Sequence, residues 1–196
     1  SMTAAAGNRY TSVAIALHWL IALMVIGQLA GGLYMNKLPD DQADLKFQLY
    51  QLHKSFGISI LILTLVRIFW RLTRKAPALP EKMAGWEKML ARGAHFGFYA
   101  LLIALPLVGW AVVSSSPFAD SVQTYLFGIV HWPHLPFFEG VADRKGLSHD
   151  IAEIHEYLAF AMIGLIGLHV AAALKHQFVD RDEVLSHMAP FLRKKA

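Results

Sequence analysis

Four long apolar stretches constrain this chain more than any other feature. They run over about 11–35, 51–72, 94–116 and 151–174, each long enough to cross a hydrocarbon core about 30 Å thick as an α-helix. The rest of the composition agrees. Of 196 residues, 56% are hydrophobic and only 16% charged, too few charges to cover a soluble domain of this size. Mean hydropathy is +0.42. The first stretch is not expected to be a cleavable signal peptide, because it is long, carries His18 and closes on no small-residue cleavage site. The reading is all-α: one domain over 1–196, an integral membrane four-helix bundle running up-down-up-down.

Charge sets the expected orientation. Arg67, Arg71, Arg74, Lys75, Lys82, Lys88 and Arg92 bracket the connection between the second and third stretches, which also holds Pro77 and Pro80. Lys175, Arg181, Arg193, Lys194 and Lys195 follow the fourth stretch, and Arg9 precedes the first. The other two connections carry Asp40, Asp41, Asp44, Asp120, Glu139, Asp143 and Asp150 against fewer bases. The positive-inside bias therefore puts both termini and the 73–93 connection in the cytoplasm. The isoelectric point near 9.4 is read as topology, and no nucleic-acid motif or fold accompanies it. The longest connection, 117–150, lies on the periplasmic side. It is expected to hold an amphipathic piece around Val122–Val130, then the aromatic run HWPHLPFF (131–138), suited to the membrane interface. Transport is disfavoured, since neither inverted repeats nor helices broken at the midplane are evident.

Within the apolar stretches lie His18, His53, His155 and His169. His155 and His169 are 14 positions apart on one stretch, so their rings share a helix face, roughly 21 Å apart along the axis. Topology sorts the four by depth, His53 with His155 on the periplasmic side and His18 with His169 on the cytoplasmic side. With no cysteine in the chain, metal ligation falls to histidine. Each pair can offer two axial nitrogens to one haem iron, and two imidazoles leave no open position, which favours electron transfer over oxygen binding. A lone intramembrane histidine can equally bond another helix; four at two matched depths make that reading weaker.

Neighbours at the same spacing extend the pattern. Arg67 comes 14 residues after His53, at the level of the inner haem, where a guanidinium can pair with a propionate or simply snorkel to the interface. Gly32 comes 14 after His18, Gly109 14 after His95, and Gly57 one turn beyond His53. A flat macrocycle against a helix needs such missing side chains, although glycine also serves ordinary helix contacts in lipid.

The stretches ALHWLIA (16–22), QLHKSFGISILILTLVRIFWRL (51–72), GAHFGFYALLIALPLVG (93–109) and IHEYLAFAMIGLIGLHVAAALKH (154–176) resemble the bacterial cytochrome b561 family, four-helix dihaem b proteins related to the cytochrome b subunits of hydrogenases and formate dehydrogenases. The resemblance covers nearly the whole membrane part and implies haem b ligands at His18, His53, His155 and His169. In the superoxide-oxidising member of that family, similar histidines are associated with a quinone site. That implies a quinone site at His95 and His176, with Lys175 and Arg92 as neighbours. His95 could otherwise make an inter-helix or propionate bond, and His176 a headgroup contact.

The function expected is electron passage from a periplasmic one-electron donor, superoxide by resemblance, through two haems to ubiquinone. Lys54, Arg144, Lys145 and His149 are candidates for a positive funnel at the periplasmic face, or are ordinary loop charges offset by nearby acids. The alternative class is a relay cytochrome without its own enzymatic activity, serving a separate redox protein that docks on the 117–150 connection or on the cytoplasmic side.

Overall fold

The computed structural model describes residues 11–74, 79, 81, 83–180, 184 and 187–189. Arg9, Lys75, Pro77, Pro80, Lys82, Arg181, Arg193, Lys194 and Lys195, used above for orientation and for the second connection, lie outside them. Four helices carry the fold: α1 (Ser12–Lys37), α2 (Ala43–Thr73), α3 (Gly85–Ser115) and α4 (Arg144–Leu174). Each is long and apolar enough to cross a membrane. Consecutive helices pack on one another, so the chain runs up and down as a bundle.

Three of the helices begin well before their apolar stretches. α2 starts at Ala43 rather than 51, α3 at Gly85 rather than 94, and α4 at Arg144 rather than 151. The reason is physical. Hydropathy reports only the part of a helix in lipid, whereas a 31-residue helix is roughly 46 Å long and must leave the bilayer. The early turns carry Asp44 and Lys46 in α2, Glu87 and Lys88 in α3, and Arg144 and Lys145 in α4. Polar caps fix two starts. Thr11 Oγ1 accepts from the Ala14 N–H at 3.2 Å and also from Trp70 Nε1 at 2.9 Å, which ties the head of α1 to the foot of α2. Asp143 Oδ1 accepts from the Gly146 N–H at 2.9 Å. A methyl group at Gly146 would collide with that carboxylate, so the glycine is what lets the cap close.

Beyond α4 the chain widens into a π-helical turn, Lys175–Val179, closed by the Asp180 N–H donating to the Lys175 carbonyl at 2.9 Å. The fourth helix therefore does continue towards the charged tail, but with a changed pitch.

The piece around Val122–Val130 is a hairpin: β1 (Thr124–Leu126) and β2 (Val130–Trp132) pair antiparallel, with Leu126 opposite Val130, and a short 3-10 turn covers Pro136–Phe138. The turn needs two residues in the left-handed region, Phe127 (φ 52°) and Gly128 (φ 74°). Only the second is a cheap choice. Phe127 is held there from outside: its N–H donates to Ser55 Oγ on α2 at 3.0 Å, and its ring meets Phe56 edge-on at 5.1 Å. In the segment VQTYLFGIVHW, β-branched and aromatic residues flanking Phe-Gly favour a hairpin.

Large apolar side chains such as Leu23, Phe69, Phe96 and Leu168 face outward. In lipid this is no liability, since the surroundings are as apolar as the side chains. The buried core is small and sits at mid-height: Ile21, Val25, Ile60, Leu102 and Met162.

Candidate functional site: two stacked histidine levels

A seven-residue rhythm runs through all four helices. α1 carries His18, Val25 and Gly32; α2 carries His53, Ile60 and Arg67; α3 carries His95, Leu102 and Gly109; α4 carries His155, Met162 and His169. Seven residues are close to two turns, roughly 10 Å, so each set lies along one helix face. The middle member is buried every time, with Met162 only 1% exposed. The bundle is therefore two polar levels separated by a sealed apolar layer of Val25, Ile60, Leu102 and Met162.

At the level nearer the hairpin, the His53 and His155 rings face each other with centroids 6.4 Å apart. At the other level, His18 and His169 stand 6.3 Å apart. A metal bound at about 2 Å to one nitrogen of each ring separates two imidazole centroids by roughly 6 Å. Both pairs fit that spacing. Among the described residues, His18 Nδ1 is buried with no hydrogen-bond partner, whereas His155 lies within hydrogen-bond reach of the Leu105 backbone. The close helix–helix packing of α4 is with α3. The histidine pairs instead span from α4 to α1 and to α2.

The hairpin-end level is lined by absent side chains. A Cβ at Gly109 would lie 3.2 Å from His155 Cε1, and one at Gly32 would lie 3.5 Å from His53 Cε1. Gly109 therefore makes room for the His155 imidazole, whereas Gly32 lies at ordinary contact distance from His53. Gly57 does something else: its missing Cβ lies 3.5 Å from Gln28 Nε2, which donates to the His53 carbonyl at 2.8 Å. It lies beside the point where α1 reaches across to hold the backbone of α2 at His53.

Above this level the hairpin segment forms a cap stitched to α2 and α3. Besides the Phe127 contact, the Leu135 N–H donates to Ser114 Oγ at 2.9 Å and Trp110 Nε1 donates to the Pro133 carbonyl at 3.0 Å. Arg144 reaches from the start of α4 to donate to the Ser114 carbonyl at 2.8 Å. Of the four expected funnel residues, Lys54 and Arg144 converge, both within electrostatic reach of His134. Lys145 and His149 line a separate, open surface depression with Asp143 and Asp150, and His149 faces Asp150 at 3.8 Å. His134 itself escaped the sequence reading, which saw only an aromatic interface run. Burial and the Lys54 cation hold its pKa below the ordinary histidine value.

The opposite level is charged. Arg67 and Arg71 place their guanidinium carbons 5.3 and 5.7 Å from the Tyr99 ring centre, and Arg71 also donates to the Tyr99 hydroxyl at 3.2 Å. Phe98 meets His169 edge-on at 5.2 Å. His95 lies within electrostatic reach of Arg67, Arg71, His18 and His169. His176 keeps different company. It is buried on the π-turn, with Nδ1 3.4 Å from Asp180 Oδ2. Lys175 beside it bonds both Asp180 (3.0 Å) and Glu87 (3.3 Å). Glu87, His176 and Asp180 are close enough to share a cation, but the Lys175 ammonium already bridges the two carboxylates. Arg92 is exposed on α3.

The model of the family described as prokaryotic cytochrome b561 matches residues 9–191. Cytochrome b561 homolog 2 of Escherichia coli is 30% identical over 181 residues, covering 92% of this chain and 91% of that one. A protein of Yersinia pestis named probable superoxide oxidase CybB is 29% identical over 185 residues, 93% of this chain and 97% of its own. Cytochrome b562 of Cereibacter sphaeroides is 27% identical over 182 residues, 91% and 94% of the two chains. With four membrane-spanning helices and a family match over nearly its whole length, the chain belongs to the prokaryotic cytochrome b561 family of haem b-binding membrane electron-transfer proteins.

Proposed function

We propose that the chain is a dihaem cytochrome b that takes single electrons from superoxide at the hairpin face and delivers them to membrane ubiquinone at the opposite end. The observation that carries this reading is the pair of histidine levels, at 6.4 and 6.3 Å, with one buried apolar layer between them. His53 with His155 and His18 with His169 would each hold one haem b. Bound there, haem b supplies reversible one-electron redox chemistry with no open ligand position. Orientation follows the basic residues: termini and the 74–84 connection in the cytoplasm, hairpin in the periplasm, in the bacterial inner membrane.

The residues of the chain divide the work. Lys54 and Arg144 place positive charge at the hairpin face, where an anionic donor would arrive. Val25, Ile60, Leu102 and Met162 exclude water between the levels and hold them at a fixed separation. At the far end, Arg67 provides a guanidinium for a propionate, and His95 stands beside His169, placed to hydrogen-bond a quinone carbonyl and pass it a proton. His176, bonded to Asp180 near the end of the bundle, is placed to refill that proton from the water side. Two superoxide anions each lose one electron and leave as dioxygen. One ubiquinone gains two electrons and two protons and leaves as ubiquinol. Similarity to the Yersinia protein named probable superoxide oxidase supports the donor.

A second reading has its own observation. The hairpin presents Phe127, Ile129 and Val130 to the outside, with Ile129 82% exposed. Such a tip suits a protein partner for which the cytochrome is only a relay. Stopped-flow absorbance separates the two. Oxidised protein mixed with a superoxide source should show reduced b-haem bands quickly, and short-chain ubiquinone should reoxidise them. Bands that form with dithionite but only slowly with superoxide would favour the relay.

A further inference from the structure

Three ring or guanidinium nitrogens at the hairpin end are buried with no hydrogen-bond partner among the described residues: Trp132 Nε1, Arg144 Nε and His134 Nε2. An indole N–H and a guanidinium Nε–H are donors only, so what is missing opposite them is an acceptor. Buried donors are rarely left unpaired, and several in one neighbourhood point to a common partner from outside the chain.

Their neighbourhood is shared. Trp132 packs on Trp110 with ring centres 5.6 Å apart, and Trp110 bonds the Pro133 carbonyl. Leu135 bonds Ser114 Oγ, and Arg144 bonds the Ser114 carbonyl. Residues 132–135 thus run along α3 from Trp110 to Ser114, where the Arg144 side chain lands. Lys54 adds a half-buried cation within reach of His134. The nearby negative charge is Asp120, 3.9 Å from Arg144 Nη1, with its side chain 97% exposed. Half-buried cations in excess, together with unpaired donors, define a site for an oxyanion. The site adjoins the His53–His155 level: Lys54 follows His53, and Gly109, against His155, precedes Trp110.

We infer that Trp132, Arg144, His134 and Lys54 form a carboxylate cradle, and that it takes a propionate of the haem at the His53–His155 level. The inference rests on the dihaem reading above. It makes the hairpin cap part of the cofactor site rather than a cover over it. A small dissolved anion has the same recognition chemistry, so the test must tell the two apart.

The test is redox-difference infrared spectroscopy of the purified holoprotein carrying haem labelled with ¹³C at the propionate carboxyls. Trp132→Phe keeps the ring stack and removes the donor; Arg144→Gln serves as a second variant. Trp110→Phe removes a cap bond but none of the cradle donors. The expected result is a labelled carboxylate band that moves in Trp132→Phe and Arg144→Gln and stays put in Trp110→Phe. A band that is unmoved in the first two, or that moves equally in all three, overturns the inference. A stationary band, with added formate perturbing the wild-type haem spectrum but not that of Trp132→Phe, would also overturn it and assign the cradle to a dissolved anion. Loss of one of the two haem signals in the wild type itself would sink the dihaem reading instead, which keeps the two failures distinct.

Discussion

The two ends of the bundle use the same histidine spacing and opposite surroundings. At the hairpin end, the pair is seated against glycines and closed over by a cap of hydrogen-bonded backbone. At the other end, the pair sits among Arg67, Arg71, Tyr99 and His95, and the Met188 carbonyl accepts from Trp19 Nε1, next to His18, at 2.7 Å. Under the proposed function, a capped level would take up electrons, and a cationic, histidine-bearing level would suit a substrate that must be protonated. The direction of electron flow would then follow from what surrounds the levels more than from the levels themselves.

The comparison breaks most visibly if the levels are not independent. His155→Ala should empty the hairpin-end level alone, leaving about half of the bound haem, because bis-histidine ligation needs both rings. His169→Ala should do the same at the other level. A haemochrome assay that finds both haems lost in either variant would mean that the Met162 layer does not insulate one level from the other. The asymmetry of the ends is tested next. His95→Ala should slow ubiquinone reduction by about tenfold or more while superoxide still reduces the hairpin-end haem at the wild-type rate. Both haems should remain bound. Loss of one would make His95 structural, and the cationic end would lose its proposed chemistry.

A smaller effect sharpens the hairpin end. Gly109→Ala puts a methyl group 3.2 Å from His155 Cε1, inside ordinary contact, so the ring or the helix must yield. A cost of about 1–3 kcal/mol is expected, as for other overpacked sites. Gly32→Ala meets His53 at 3.5 Å, normal van der Waals distance, and should be close to neutral. Thermal release of haem, followed by absorbance, ranks the two. Equal losses would show that the glycines serve the macrocycle rather than the imidazoles.

How much of this was legible in the chain depends on where periodicity applies. The spans, the paired depths of the histidines and the Arg67 level all follow from 14-residue spacing, because a helix repeats its face regardless of what it packs against. The insulating layer was legible too, by halving that spacing to Val25, Ile60, Leu102 and Met162. The cap was not. Its hairpin depends on Phe127 being held in a left-handed conformation by Ser55, 72 residues away, and no local pattern contains that contact. The same holds for His134. Its significance comes from Lys54 and Arg144 meeting it across three separate segments. His95 and His176 are grouped by the resemblance alone; the fold sets His95 within reach of Arg67, Arg71 and His169, and His176 on the π-turn against Asp180.

The smallest effect concerns how tightly the cap is held. His134 has its pKa lowered by burial first, then by Lys54, His131 and Arg144, with Asp120 opposing. A histidine whose pKa is depressed on docking binds fewer protons in the docked cap than in a loosened one. Docking is therefore independent of pH well above the ordinary histidine value of 6.5 and weakens as pH falls through and below it. Hydrogen exchange at the Phe127 and Leu135 amides, which donate to Ser55 and Ser114, reads cap docking directly. After correction for intrinsic rates, protection should fall a few-fold between about pH 7.5 and pH 5.5. His134→Gln should flatten that dependence. The amides within the Ile60 and Met162 layer should show none in either protein, since that core touches neither the cap nor water. A pH response of equal size in both regions would mean that the cap does not open separately from the bundle, and the contrast between a hairpin-capped end and a cationic one would have to be abandoned.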